Sequence, residues 1–533
     1  MLKSKFTFLL VSLVLLVTGC AKRGTITGGA KDTIPPVLIN SSPKNFSTDF
    51  KGDFIKITFD EYIKIKDLNK QLIISPPMKN APYIVPMGSA SKFISIKIND
   101  TLQPNTTYSF NFGQSITDNN EGNPFSQFKY VFSTGSYIDS LKLGGKIKDA
   151  LSKKTDNFVN IQLYEAATFN DSTIYKEQPR YVTNSLDSLT TFALENLKEG
   201  QYYLIALKDE NKDYKYNPKT DKIAFHNKPI VIPNDTLFRL DLFKEKLPFK
   251  ASRPSQASAN RLVMGYEGTH KNVALKIRNK DAEIPFVITK LPKADSLQLW
   301  IPKIKTDSLQ IEVAGEQFSK TFTTKLKEMK TTDTLSLKAK QSGSIAFREN
   351  FTIEAATPLV KIDASKIRIT KKDSAAVAFT AKYKEFEQEL VFDFKKEESE
   401  KYKVLLLPGA LKDFYDKEND TLSYTLNTKK LSDFGNLKIT LENVDRFPIL
   451  VELLDAKENV MESQYSEKET VLYFDVIEPR QYTLRIIYDD DKNKEWTSGN
   501  FLEKRQPEEV IYFPKEIDVR ANWDVEQPFI LSK

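Results

Sequence analysis

Two histidines, one cysteine and 71 carboxylates are the groups from which this 533-residue chain could build reactive chemistry. His226 follows the alternating run Ile223-Ala224-Phe225, and His270 sits in a Gly-Thr-His-Lys turn. Neither has a second ligand at a spacing such as His-Glu-x-x-His, so no His-rich zinc site is expected. The chain has no Gly-x-Ser-x-Gly nucleophile elbow and no phosphate-cradling Gly loop. Chance carboxylate pairs are certain among so many acidic residues and identify nothing. No catalytic residue is assigned, and the chain is expected not to be an enzyme.

The best local signal is acidic. Asp209-x-Asn211-x-Asp213 and Asp489-x-Asp491-x-Asn493 each place oxygen side chains at alternate positions of a tight loop after a strand. Ca²⁺ takes six to eight oxygens, and this spacing begins an EF-hand-like loop. Neither loop completes it. Tyr214 and Lys494 stand where the sixth-position Gly belongs, Asp221 comes one residue late, and Lys208, Lys212, Lys492 and Lys494 oppose a divalent ion. Two readings follow: a structural Ca²⁺ site, or a solvated turn in which Asp caps backbone N–H groups. No other cofactor is expected. Trp496, one of three tryptophans, follows the second loop. It could stack on a sugar, or cover the end of a sandwich.

The cysteine belongs to a different chemistry. Lys3 and Lys5 precede the apolar run from Phe6 to Val17, the pattern of a secretory signal peptide too short to span a bilayer. Val17-Thr18-Gly19-Cys20 then resembles the bacterial lipobox. That resemblance implies that Cys20 is the first mature residue, carrying diacylglycerol on its thiol and an acyl chain such as palmitate on its amino group. One acyl chain alone holds a protein only marginally. With its thiol so used, Cys20 cannot serve cysteine catalysis, and no other cysteine exists for a disulfide. Residues 1–19 are thus a signal peptide and 20–34, small, polar and Gly-rich, a lipidated tether. Ala21-Lys22-Arg23 lacks the Asp that suggests inner-membrane retention, so the expected location is the outer membrane, on a face the residues leave open. Beyond Cys20 no apolar stretch is long enough to span.

These groups must be carried by strands. A net charge of +7 from 78 basic and 71 acidic residues is a mixed surface without a basic helix, and no nucleic-acid partner is expected. The dominant period is two, as in Phe54-Ile55-Lys56-Ile57-Thr58-Phe59 and Phe93-Ile94-Ser95-Ile96-Lys97-Ile98. Turn clusters such as Asp118-Asn119-Asn120-Glu121-Gly122-Asn123 separate the runs. The fold class is all-β: tandem β-sandwich domains, five for this length.

Ser42-Pro43, Ile57-Thr58-Phe59-Asp60, the turn Gln103-Pro104-Asn105 leading to Tyr108, Asp118 with Gly122-Asn123, and Phe132-Ser133-Thr134-Gly135 resemble the bacterial Ig-like domain of S-layer proteins. Residues 35–136 form that domain, in which Tyr108 is placed to bury its ring and tie its hydroxyl to backbone. In 137–245, "F-x-L-x-N-L-x-x-G-x-Y" from Phe192 to Tyr202 resembles a prealbumin-like sandwich. Residues 246–345 read as a sandwich of unplaced type. Residues 346–432 echo the first domain, with Tyr402 matching Tyr108 and Asp413 matching Asp118, but without the terminal Ser-Thr-Gly. Residues 433–533 echo the second, Tyr202–Asp213 aligning without gaps on Tyr482–Asn493. The layout expected is five domains in a row.

Asp-Ser/Thr-apolar recurs from Asp32-Thr33-Ile34 through Asp187-Ser188-Leu189 to Asp420-Thr421-Leu422. It resembles the short O-glycosylation sequon of exported proteins in one Gram-negative phylum, and it also suits a strand-entry turn. Lipobox, tether and domains together resemble an Ig-like-domain lipoprotein family. That resemblance implies a non-enzymatic scaffold or interaction subunit of an outer-membrane protein complex, for barrel assembly or secretion, anchored through its N-terminal lipid. The alternative is a glycan-binding surface lipoprotein using Trp496.

Overall fold

A computed structural model describes residues 31–185 and 190–531. The signal peptide, Cys20, most of the tether and the Asp187-Ser188-Leu189 motif lie outside them. Among the described residues the regular structure is almost wholly strand, with α-helix confined to the single turns Leu68–Gln71 and Thr173–Lys176. It forms two compact units. One is built on the residues up to 142 with short pieces at 180–185 and 194–199; the other on 143–179, 190–193 and 200–531.

The smaller unit contains the first sandwich. Alternation in Phe54–Ile65 buries Ile55, Ile57 and Phe59, and the strand pairs antiparallel with Leu38–Ser42 on one side and Ser91–Lys97 on the other. Tyr83–Val85 extends that sheet. The opposing sheet is Ile73–Ser75, Thr107–Asn111 and Lys129–Ser133. Phe110, Tyr130 and Phe132 fill the space between. Asn105, left-handed at φ 48°, makes the turn before Tyr108, whose hydroxyl accepts Gln103 N–H at 2.9 Å. Asp118 is buried and accepts four backbone N–H groups, from Asn120, Glu121, Gly122 and Asn123, at 2.7–3.0 Å. Burial would raise its pKa, but these donors outweigh burial and hold the carboxyl below the ordinary carboxylate value.

The larger unit holds four sandwiches. In the second, Gly200–Lys208 lies between Asn160–Glu165 and Lys222–Phe225, while Leu141–Asp149 pairs parallel with Leu237–Leu242. The fifth repeats this plan: Arg480–Tyr488 lies between Ile449–Leu454 and Val510–Val519, and Gly435–Glu442 pairs parallel with Asp524–Ile530. The third places Arg261–Glu267 and Ser296–Trp300 against Ala274–Asn279 and Ser308–Gly315.

The fourth copies the first in detail. Tyr402 hydroxyl accepts Glu397 N–H at 2.7 Å, again five residues upstream. Thr428 Oγ1 accepts Glu400 N–H at 3.0 Å, as Thr134 Oγ1 accepts Thr106 N–H at 2.9 Å, with the same separation of 28 residues. The threonine of the terminal Ser-Thr-Gly thus has its counterpart in Thr428, despite the missing Ser and Gly. Asp413 accepts Tyr415 and Lys417 N–H groups at 2.9 and 2.8 Å. The fourth sandwich also begins earlier than residue 346. Asp333 still pairs with Arg261 at 3.1 Å in the third, whereas Leu335, Leu337, Ala339 and Ile345 pack in the fourth core. The alternation of Leu335-Ser336-Leu337-Lys338-Ala339 carries it, and strand Leu337–Ala339 pairs with Phe351–Ala355.

A row is not what these four make. The third and fourth meet where the Tyr415 hydroxyl donates to Asn260 O at 2.9 Å, and the fourth and fifth where Arg348 pairs with Glu462 at 3.2 Å. The fifth then returns to the second. Phe501 is buried among Tyr164, Ile205, Leu207, Phe225 and Phe243, and Leu450, Ile487 and Val510 pack with Leu151. The four sandwiches close on themselves. The reason is visible in the strands. Ile449–Leu454 is buried at every position and Arg480–Tyr488 from Tyr482 onward, so the fifth sheet is covered on both faces.

Candidate functional site

The two acidic loops have one backbone design. Asp209 accepts Lys212 N–H at 2.6 Å through Oδ1 and Tyr214 N–H at 2.8 Å through Oδ2. Asp489 accepts Asn493 N–H at 3.0 Å and Lys494 N–H at 2.9 Å. The third and fifth residues after the aspartate are left-handed in both loops: Lys212 and Tyr214, Lys492 and Lys494. Asp213 caps Lys215 N–H at 3.0 Å. Burial raises the Asp209 pKa above the ordinary carboxylate value against the pull of its two backbone donors.

In the second of these loops sequence reasoning missed a member. Glu508 brings a carboxylate oxygen within 4.8 Å of those of Asp489 and Asp491. Glu508 accepts Asp491 N–H at 3.3 Å and Thr497 N–H at 2.8 Å. Asp491 accepts Asn493 N–H at 3.1 Å, with Asn493 Nδ2 and Thr497 Oγ1 on its other oxygen at 2.9 and 2.6 Å. All six oxygens of the three carboxylates therefore accept bonds from the loop itself, and three carboxylates fall short of a Ca²⁺ cage. Burial raises Glu508, with the Thr497 and Asp491 N–H bonds opposing and the Asp491 charge adding to it. The only forewarning of Glu508 was the pair Glu508-Glu509 ahead of a strand.

Trp496 is half-buried and packs against both hydrophobic clusters at the junction of second and fifth sandwiches, its Nε1–H donating to Glu508 O at 3.1 Å. That contact is what a residue covering the end of a sandwich would make. Beside it lies a cleft of about 370 Å³ lined by Lys148, Arg239, Asp241, Glu508, Glu509 and Val510. Lys148 Nζ donates to Val510 O at 3.2 Å and lies 3.8 Å from Asp241. Burial lowers its pKa more than Asp241 raises it. Deeper in the junction Arg485, buried, pairs with Glu452 at 2.6 Å and donates to Leu151 O at 3.4 Å. Tyr512 hydroxyl donates to the same carbonyl at 2.6 Å.

The histidines are spent on structure. His226 Nδ1 lies 2.8 Å from Lys228 O, and its ring meets Phe238 edge-on. His270 Nδ1 lies 3.2 Å from the Tyr266 hydroxyl, and its ring stacks on Phe386. Burial and the Lys290 and Lys271 charges hold the His270 pKa below the ordinary histidine value.

Residues 32–134 match the family model for the bacterial Ig-like domain, so the first sandwich is a domain of that kind. No curated protein matches the chain. Among solved structures it is similar to surface layer protein SbsC, domains 1-6, at 11% identity over 91% of this chain and 67% of that one, with a TM-score of 0.16. It is also similar to BcpA, the major pilin subunit of Bacillus cereus, at 10% identity over 73% of this chain and 99% of that one, with a TM-score of 0.14. At such scores the likeness carries no argument about function.

Proposed function

We propose that the chain is an outer-membrane lipoprotein, anchored through Cys20, that works without catalysis as a scaffold or interaction subunit of an outer-membrane protein complex. The observation that carries this reading is the employment of the polar groups. Asp118, Asp209, Asp413 and Asp489 each brace a turn through backbone N–H groups, leaving a set of stiff sandwiches whose exposed turns and sheet faces can meet partners. The lipobox supplies the anchor, and barrel assembly or secretion are the kinds of complex the family resemblance suggests.

The test is crosslinking in intact cells, solubilisation of the outer membrane in detergent, capture of this chain and mass spectrometry. Stoichiometric recovery of integral outer-membrane proteins is expected. Recovery of the chain alone would sink the subunit reading. Labelled palmitate should enter the wild-type chain and not Cys20→Ala; equal labelling would remove Cys20 as the anchor.

A further inference from the structure

The outer face of the first sandwich is chemically unusual. A sheet with one face on a core ordinarily turns polar side chains outward. Here the sheet formed by Leu38–Ser42, Phe54–Ile65, Ser91–Lys97 and Tyr83–Val85 turns aromatics outward. Phe54 is 49% exposed, Tyr83 58% and Phe93 40%. The register sets them side by side: Phe54 faces Lys97, Lys97 faces Tyr83, and Thr58 faces Phe93. Lys56 lies one pleat along, its Nζ 4.4 Å from the Phe93 ring centre. These rows carry no carboxylate. Asp60, the next outward residue along its strand, uses an oxygen on Val37 N–H at 2.8 Å.

Rings at the level of a sheet surface, with the Lys56 ammonium over one of them and Lys97 in register with two others, match the boundary between acyl chains and headgroups. The positive charge selects an anionic boundary. The chain's own path brings such a boundary into reach. Asn123 Nδ2 holds the Asp32 and Ile34 carbonyls at 3.0 and 3.3 Å, and the chain then becomes Leu38–Ser42, the edge strand of this same sheet. Asp32 comes twelve positions after Cys20, a reach of at most about 40 Å when extended.

We propose that this face docks on an anionic lipid headgroup surface, a second attachment beside the acyl chains; only the proximity argument rests on the Cys20 reading. The mature full chain, with Ser95→Cys at the middle of the face, is given a fluorophore and mixed with vesicles of phosphatidylcholine containing phosphatidylglycerol and a headgroup spin label. Quenching at Ser95 is expected to exceed clearly that of the same label at Gln114→Cys, off the face. Lys56→Gln and Lys97→Gln should each shift the docked fraction about fivefold in its equilibrium constant, and salt should shift it the same way. Phe54→Ser with Phe93→Ser should abolish it, with circular dichroism confirming an intact fold. Equal quenching at the two positions, none at Ser95, or no dependence on anionic lipid overturns the proposal. Flotation with vesicles reports the Cys20 lipid separately. A chain that floats without quenching at Ser95 refutes the face alone. A chain that does not float refutes the anchor, and quenching on unanchored addition still decides the face.

Discussion

Tyr108 and Tyr402 show how single residues hold this chain in shape. Each buries its ring and closes a turn by accepting a backbone N–H five residues upstream. Tyr108→Phe or Tyr402→Phe leaves that N–H without its partner and should cost about 1–2 kcal/mol, confined to its own sandwich. Hydrogen exchange resolved by sandwich would measure it, and equal loosening of both domains by one substitution would contradict it. Asp118 adds a pH signature. Its folded pKa lies below the ordinary 3.8, so the carboxylate form stabilises the fold. That contribution is fully present above the unfolded value and fades as pH falls below about 4 toward the folded one. Asp118→Asn should flatten the acid limb of the first sandwich's unfolding curve; an unchanged limb would show that other groups govern it. For the acidic loops, millimolar Ca²⁺ should leave the melting curve unmoved, since the oxygens already serve the turn; a rise in melting temperature that Asp489→Asn removes would reverse that conclusion.

At the scale of elements, period-two alternation and turn clusters made the sandwiches legible, and the Tyr and Asp correspondences made the duplication legible. Thr428 was missed because its neighbours Asn427 and Lys429 differ from Ser133 and Gly135, although the backbone uses only the threonine oxygen. The contact between second and fifth sandwiches was not read from sequence at all. Alternation reports one buried face; a second covered face erases it. The run Ile449-Leu450-Val451-Glu452-Leu453-Leu454 carried that signal as nearly continuous apolarity, broken only by a glutamate. That glutamate is neutralised across the strand pair by Arg485. Arg485→Met alone strands a buried carboxylate and should destabilise by about 3–5 kcal/mol, whereas adding Glu452→Leu should recover most of it. Chemical unfolding followed at the fifth sandwich would decide; additive losses would mean that the pair is not coupled.

For the whole larger unit, the closing contact is the feature that matters most. Lys504 lies 2.6 Å from Asp171, residues 333 apart in sequence. A zero-length carbodiimide crosslink between them should form in the folded monomer. Phe501→Ala, which empties a buried ring site at a cost of about 3–5 kcal/mol, should reduce its yield sharply. An unaffected crosslink would show that the contact does not depend on that ring.

The junction also decides how the chain would bear load. A pull applied between the second and fifth sandwiches need not travel along the covalent backbone through the third and fourth. It passes directly through Phe501, Trp496 and the Arg485–Leu151 contact, a mechanical short circuit that leaves the middle sandwiches slack until it opens. Once it opens, roughly two further folded domains enter the tensioned path as reserve length, so extension would come first by undocking and only later by unfolding.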